Sequence, residues 1–213
     1  MTEIELITQL KSIYSNSKKL ASDKAKEALD LCIKNEVFID SFRNWKTTDF
    51  VSSNSKFSDF EKENANYLDV NDRNKEIFAQ KHPNITDIFE KRYLQDEQGK
   101  VYSLYSPNFK YIIEISLPLE RREKGRKNQN DFCDRVLIKN YLSQLTPFDK
   151  EYSRLTNTRP YNTYWHHDSV YGRMILVAGD DHLQKQKNGM YSGLNVKHYG
   201  GFKLWKKYHL SSR

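Results

Sequence analysis

The chain has 213 residues, of which 37% are hydrophobic and 30% charged, and its net charge is +7. This length suits one domain or two small ones. No apolar run approaches the roughly 20 residues that a transmembrane helix needs. The first segment lacks the features of a secretory signal, and two cysteines, Cys32 and Cys133, cannot form a disulfide framework or a paired-cysteine zinc site. We therefore expect a cytoplasmic product with reduced thiols in apolar settings, exported, if at all, by a specialised system.

Residues 1–95 are predicted to form a helical accessory region. Thr2 and Glu5 have the spacing of a capping box, in which each side chain binds a backbone amide of the first turn. Apolar residues then recur at helical spacing. The predicted helices cover residues 2–16, 23–35, a segment that begins near 37, and 85–93.

Residues 96–213 are predicted to form a second domain of mixed α+β class. Gln95 to Lys100 resembles a turn or linker, and the charge changes at the same place. Residues 1–100 carry 16 basic and 18 acidic residues, whereas the rest carries 19 and 10, a net +9. A basic half suggests a polyanionic partner, although charge alone also fits a soluble basic domain. The predicted elements are strands at 101–105 and 111–117, a helix at 130–145 and a loop-rich connection at 146–160.

Basic side chains of this second domain are candidates for phosphate contacts. Most of them lie in one run, Glu-Arg-Arg-Glu-Lys-Gly-Arg-Lys, and two more lie in the predicted loop-rich connection. The candidate nucleic-acid-binding residues are Arg121, Arg122, Lys124, Arg126, Lys127, Arg154 and Arg159.

Four of the six histidines lie between residues 161 and 205. Histidine is the commonest metal ligand in proteins, so this crowding predicts a site. The pattern from 161 to about 190 indicates a strand at 161–166, turn chemistry at 168–172, a strand at 174–177 and a helical segment that begins at His182. His166 and His167 then lie at the end of the first strand and His182 lies on the helix. Adjacent strand residues point to opposite faces. The geometry suits one metal ligand beside one free base.

At these residues the sequence resembles the HNH/endonuclease VII superfamily of ββα-metal nucleases, in the class named for Trp-His-His. The resemblance covers about residues 105–205 and includes a lead-in helix. Its residues are Trp165-His166-His167, Met174, Leu176, Val177, His182, His198, Gly200, Gly201 and Trp205, with Asp131, Phe132 and Arg135 upstream. It implies a helical N-terminal region followed by a C-terminal ββα-metal nuclease domain.

The resemblance also implies a role for each residue. His166, His182 and His198 would bind one divalent metal ion, with Mg²⁺ expected first and Zn²⁺, Mn²⁺ or Ni²⁺ as alternatives. His167 would be the general base. Arg173 would orient that base or clamp the phosphate. His198 follows His182 by 16 residues, farther than in the family, so Asp168, Asp181 or a water are alternatives for the third ligand.

The expected function is a metal-dependent endonuclease that hydrolyses DNA with little sequence specificity, in a bacterial toxin or defence system. Such an enzyme implies a cognate immunity protein as partner and no membrane. The alternatives are a site-specific restriction-type endonuclease and a non-catalytic nucleic-acid-binding module stapled by zinc. The choice between DNA and RNA stays open at this point.

Overall fold

The computed structural model describes residues 1–46, 89–95, 101–107, 109–168, 170–179, 184–185, 191–192, 202 and 205, with only the backbone described in β1, β2, β6 and β7 as defined next. The protein is a mixed α+β structure, as predicted: N-terminal helices precede a three-stranded antiparallel sheet with further helices. In chain order the elements are α1 (Glu3–Ser15), α2 (Ala21–Lys34), α3 (Glu36–Phe42), β1 (Phe89–Gln95), β2 (Val101–Pro107), β3 (Tyr111–Ser116), α4 (Leu119–Arg122), α5 (Arg126–Val136), a π-turn (Leu137–Tyr141), a 3₁₀ turn (Leu142–Gln144), α6 (Pro147–Thr156), β4 (Thr163–His167), β5 (Arg173–Ala178), β6 (Gln184–Lys185) and β7 (Tyr191–Ser192).

The chain divides into two compact units, and each contains two separate chain segments. The helical unit comprises residues 1–45 and 130–163, and the sheet unit comprises residues 46–129 and 164–213. The predicted boundary between residues 95 and 96 stays a prediction, because the segment 96–100 lies outside the described residues.

The helical unit buries apolar faces of four helices against one another. The predicted capping box of α1 is confirmed: the Glu5 amide donates to Thr2 Oγ1, and the Thr2 amide donates to Glu5 Oε2. Glu3 also accepts from the Phe148 amide at 2.9 Å, which links α1 to the start of α6. The buried core consists of Leu6, Leu10, Ala28, Cys32, Ile39, Phe148 and Tyr152.

A buried ion pair connects α3 to α6. The Arg43 guanidinium donates from Nε and Nη2 to the two carboxylate oxygens of Asp149, at 2.9 and 3.0 Å, and both side chains are 1% exposed. Nη2 also donates to the Tyr161 carbonyl. Burial raises the pKa of Asp149, and the guanidinium acts in the opposite direction. Each charge is therefore tolerated only because the other is present.

Replacing Arg43 by Met should lower the free energy of unfolding by about 3–5 kcal/mol, because the Asp149 carboxylate loses its partner in the interior. A buried carboxyl with a raised pKa is tolerated best when protonated, so the loss should be smaller near pH 4 than at about pH 7. Urea denaturation at both pH values measures this. Arg154→Met, which breaks the exposed pair with Glu151, should change stability little; an equal loss in both variants would contradict the argument.

Two predictions of secondary structure for the chain before β4 are wrong. The helix expected at 85–93 is replaced at residues 89–93 by β1, which pairs antiparallel with β2 from Phe89↔Pro107 to Gln95↔Val101. The paired strands therefore lie on either side of residues 96–100 in the sequence. The loop expected at 146–160 contains α6, which Thr146 caps by accepting from the Asp149 amide. A Thr-Pro pair is a recognised signal for the start of a helix. Here it outweighs the features that favour a loop at 146–160.

The sheet unit contains the strands β3, β5 and β4 in that spatial order. The strand predictions at 111–117 and at 174–177 are confirmed by β3 and β5. All six residues of the central strand β5 are buried, and its register with β3 includes Ser116↔Arg173 and Ile115↔Met174. A central strand covered on both faces explains the continuous apolar run Met-Ile-Leu-Val.

Cys32 and Cys133 are free and buried, as predicted. Burial raises the pKa of each thiol to about 12. Among the described residues, no helix has both the length and the apolar character that crossing a bilayer requires.

Both thiols should react slowly with a disulfide reagent in the native protein, because the thiolate is the reactive form and a pKa near 12 leaves little of it. At about pH 8 we expect native rates at least about 100-fold below those in urea. Spectrophotometric titration with Ellman's reagent measures this, and the urea-unfolded protein is the control. A thiol that reacts immediately in the native protein would show that this cysteine is not buried.

Candidate active site

The histidine hairpin, defined as β4, β5 and the turn between them (residues 163–178), is closed by Asp168. The Asp168 amide donates to the Arg173 carbonyl at 3.0 Å, and the Asp168 carboxylate accepts from the Val170 amide at 2.8 Å. The Arg173 amide donates back to the Val170 carbonyl. Gly172 lies in the left-handed region with φ +81°. The turn chemistry predicted for 168–172 is confirmed, and it fixes the register of the two strands.

Arg173 joins this turn to the neighbouring strand. Its Nη1 donates to Asp168 at 3.2 Å and its Nη2 donates to Glu114 of β3 at 2.7 Å. The guanidinium also lies 5.7 Å from the centre of the Tyr111 ring. Arg173 therefore stabilises the hairpin directly. Its predicted roles, orienting the base or clamping a phosphate, stay predictions.

His166 and His167 are brought together by β4 and have different surroundings. The His166 ring packs edge-on against Phe109, with centroids 4.6 Å apart. The His167 ring contacts Phe202 and Trp205 edge-on at 5.2 Å, and its Nε2 lies 2.7 Å from Oε1 of Gln129. Both histidines are buried, at 3% and 7% exposure. This is the alternation expected of adjacent strand residues.

The aromatic residues near the C-terminus cover the His167 side of the hairpin. Trp205 Nε1 donates to the Asp168 carbonyl at 2.9 Å, and its ring contacts Tyr171. Phe202 and Trp205 have helical backbone. Trp165 is buried in β4.

Gln129 is a site residue that no sequence pattern indicated. It lies in the first turns of α5 and is fully buried. Its Nε2 donates to the carbonyls of Arg121 and Arg122, at 3.0 and 2.7 Å, while its Oε1 faces His167. Nothing in the local sequence distinguishes this glutamine from the exposed ones, because its partner is 38 positions away.

Five of the seven candidate nucleic-acid-binding residues belong to the sheet unit. Arg122 Nε donates to the Leu117 carbonyl, and its guanidinium stacks 4.8 Å from the Tyr171 ring. Arg126 stacks on Phe202 at 4.7 Å. Arg121 donates to Asn128, and Lys124 and Lys127 are exposed. The three arginines therefore have structural contacts as well as charge.

The other two candidates belong to the helical unit. Arg154 forms an exposed pair with Glu151. Arg159 donates to Asp134 at 3.1 Å and to the Thr163 carbonyl at 2.8 Å, which holds the first residue of β4. Contact of any of the seven with nucleic acid stays a prediction.

Of the predicted metal ligands, only His166 is described, since His182 and His198 lie outside the described residues, as does Asp181. Within the described ranges, no three His, Cys, Asp or Glu side chains converge as a metal site would require. Both oxygens of Asp168, an alternative ligand, accept hydrogen bonds within the turn. The ligand set therefore stays a prediction for which His166 is the described member.

The helix expected to begin at His182 is wrong at residues 184–185. These residues form β6, which pairs antiparallel with β7 through Gln184↔Ser192 and Lys185↔Tyr191. The intervening sequence contains Asn188-Gly189, a strong signal for a hairpin turn. The two strands of the predicted ββα core are thus confirmed, whereas its helix is not found at Gln184 and Lys185.

Comparison with protein-family models, with curated proteins and with solved structures found no match to this chain. The resemblance to HNH nucleases therefore rests on the residues of the chain alone.

Gly172→Ala should destabilise the histidine hairpin. A Cβ at this position would lie 2.3 Å from Arg122 Nε, and the left-handed backbone adds about 1–2 kcal/mol for a residue with a side chain. Gly125→Ala is a matched control, because a Cβ there meets nothing within 4 Å. Thermal unfolding should show a lower midpoint for Gly172→Ala only; equal midpoints would contradict the strain expected from the left-handed backbone and from the contact with Arg122 together.

Proposed function

We propose that the protein is a metal-dependent endonuclease that hydrolyses phosphodiester bonds of DNA. The observation that carries this proposal is the His166–His167 pair of β4. One imidazole is held by an amide hydrogen bond and aromatic edges, and its neighbour has separate surroundings. This arrangement supports different roles for two residues of the same strand, with His167 as the base and His166 as a metal ligand.

In this reaction His167 takes a proton from a water molecule, and the water oxygen attacks phosphorus as the bond to the leaving oxygen breaks. His166 is the described residue that would hold the metal ion, together with His182 and His198. A divalent ion bound there would neutralise the growing charge on the phosphate. Burial of His167 supports its role, because a fixed ring loses little freedom on reaching the transition state.

The charge of the chain supports a polyanionic substrate. Residues 101–213 carry the net +9, and five of the seven candidate phosphate-binding residues belong to the sheet unit. Contacts with phosphate are largely indifferent to sequence, which favours a toxin or defence nuclease over a restriction-type enzyme. An acidic immunity protein would complement such a surface.

A zinc-stapled, non-catalytic module that binds nucleic acid is the second candidate. The observation that favours it is the same burial of His167, because a histidine packed between aromatic rings and a glutamine amide also suits a purely structural position. The two functions predict different effects of His167→Ala on the cleavage of nucleic acid.

His167→Ala should abolish cleavage of supercoiled plasmid in Mg²⁺, with a fall of about 100-fold or more, because general-base catalysis contributes roughly 10²–10⁴. Bound metal should remain. His166→Ala should lose both metal and cleavage. His82→Ala, at a histidine outside the cluster at 161–205, is the control. Agarose electrophoresis measures cleavage and mass spectrometry of the native protein measures bound metal.

EDTA should stop cleavage by the parent protein, and raising the salt concentration should weaken DNA binding steeply. A parent protein that binds zinc and DNA but cleaves neither plasmid nor RNA supports the non-catalytic module instead. Cleavage of RNA alone would replace DNA as the substrate. Parental cleavage by His167→Ala would contradict the assignment of the base.

A further inference from the structure

The orientation of the Gln129 amide follows from its hydrogen bonds. The Nε2 group points at two backbone carbonyls, those of Arg121 and Arg122, which only accept hydrogen bonds. Exchanging the amide oxygen and nitrogen would set Oε1 against both carbonyls and lose both bonds. The oxygen therefore faces His167, and the side chain is fully buried, so no solvent competes for it.

An amide oxygen can only accept a hydrogen bond, so the His167 nitrogen 2.7 Å away must donate. That nitrogen is Nε2. In a neutral imidazole only one nitrogen carries hydrogen, and Nδ1 then carries the basic lone pair. The contact selects one of the two tautomers of His167.

We propose that Gln129 is a positioning residue that holds His167 as the Nε2–H tautomer, so that Nδ1 is the ring nitrogen whose lone pair can accept a proton. This inference rests on the proposed nuclease function, in which His167 is the base. The partner of the imidazole is neutral, so it fixes the orientation of the ring without adding a negative charge beside a site that must admit a phosphate.

The Gln129 amide also holds the backbone of the basic run at Arg121 and Arg122. Its two donations bind the last two residues of α4, Arg121 and Arg122, whose side chains are candidates for phosphate contacts. One side chain thus sets the orientation of the base and the position of this backbone. Both belong to the sheet unit.

The test is a two-bond ¹H–¹⁵N imidazole spectrum of the full chain, recorded at a pH at which the ring is neutral. Among the six histidines, the signals of His167 are those lost in His167→Ala. The parent protein should show the Nε2–H pattern. An Nδ1–H pattern in the parent protein overturns the inference without any substitution at Gln129 and without an activity measurement.

Two substitutions at position 129 separate the contact with His167 from the contacts with α4. Gln129→Met and Gln129→Glu both remove the donations to Arg121 and Arg122, but only Gln129→Glu keeps an acceptor for His167. We expect the glutamate variant to keep the Nε2–H pattern and the methionine variant to lose it. The kcat for plasmid cleavage should fall at least about tenfold further in Gln129→Met, with metal content similar in both.

Melting curves check that both variants fold, and the parent spectrum decides the tautomer if either does not. A folded Gln129→Met with parental kcat overturns the positioning role while leaving the nuclease function intact. A parent protein with the Nε2–H pattern but no cleavage of DNA or RNA overturns the nuclease function, and the catalytic part of this inference with it.

Discussion

The sheet unit depends on the hydrogen bonds that the buried residue Asp168 accepts. One oxygen accepts from the turn, the other accepts from Arg173, and the Asp168 carbonyl accepts from Trp205. A buried carboxylate is costly unless its oxygens are satisfied, so the turn, the central strand and the C-terminal tryptophan are stabilised together. Through Glu114 the network extends to β3.

The register that Asp168 fixes decides what each histidine contacts. A strand that slips by one residue turns every side chain to the opposite face. In this hairpin a slip would move His167 away from Gln129 and towards the surroundings of Phe109. The residues that hold the turn are thus as necessary for the site as the imidazoles, although none of them needs to touch a substrate.

Local patterns predicted the parts of the fold that local forces decide. The capping box of α1 and the turn before Arg173 are predictable because their partners lie within a few residues, and β5 is predictable from its own apolar run. The helix expected at 85–93 was wrong because pairing with β2 decided the outcome at Phe89–Gln95. Thr146-Pro147 is a local sequence signal for α6, and Asn188-Gly189 is one for the β6–β7 hairpin. Both elements could therefore be predicted from the sequence. Gln129 was not predictable, since its role arises from a contact across the fold.

The helical unit contains chain segments from both sides of the sheet strands β1 to β3. Phe148 and Tyr152 complete a core that Leu6 and Leu10 begin, and Glu3 binds the first turn of α6. A fragment lacking the first 95 residues would expose these aromatic side chains to water, so such trimming would promote aggregation instead of releasing an intact C-terminal half. The N-terminal helices are consequently an integral part of the core that they form with α6.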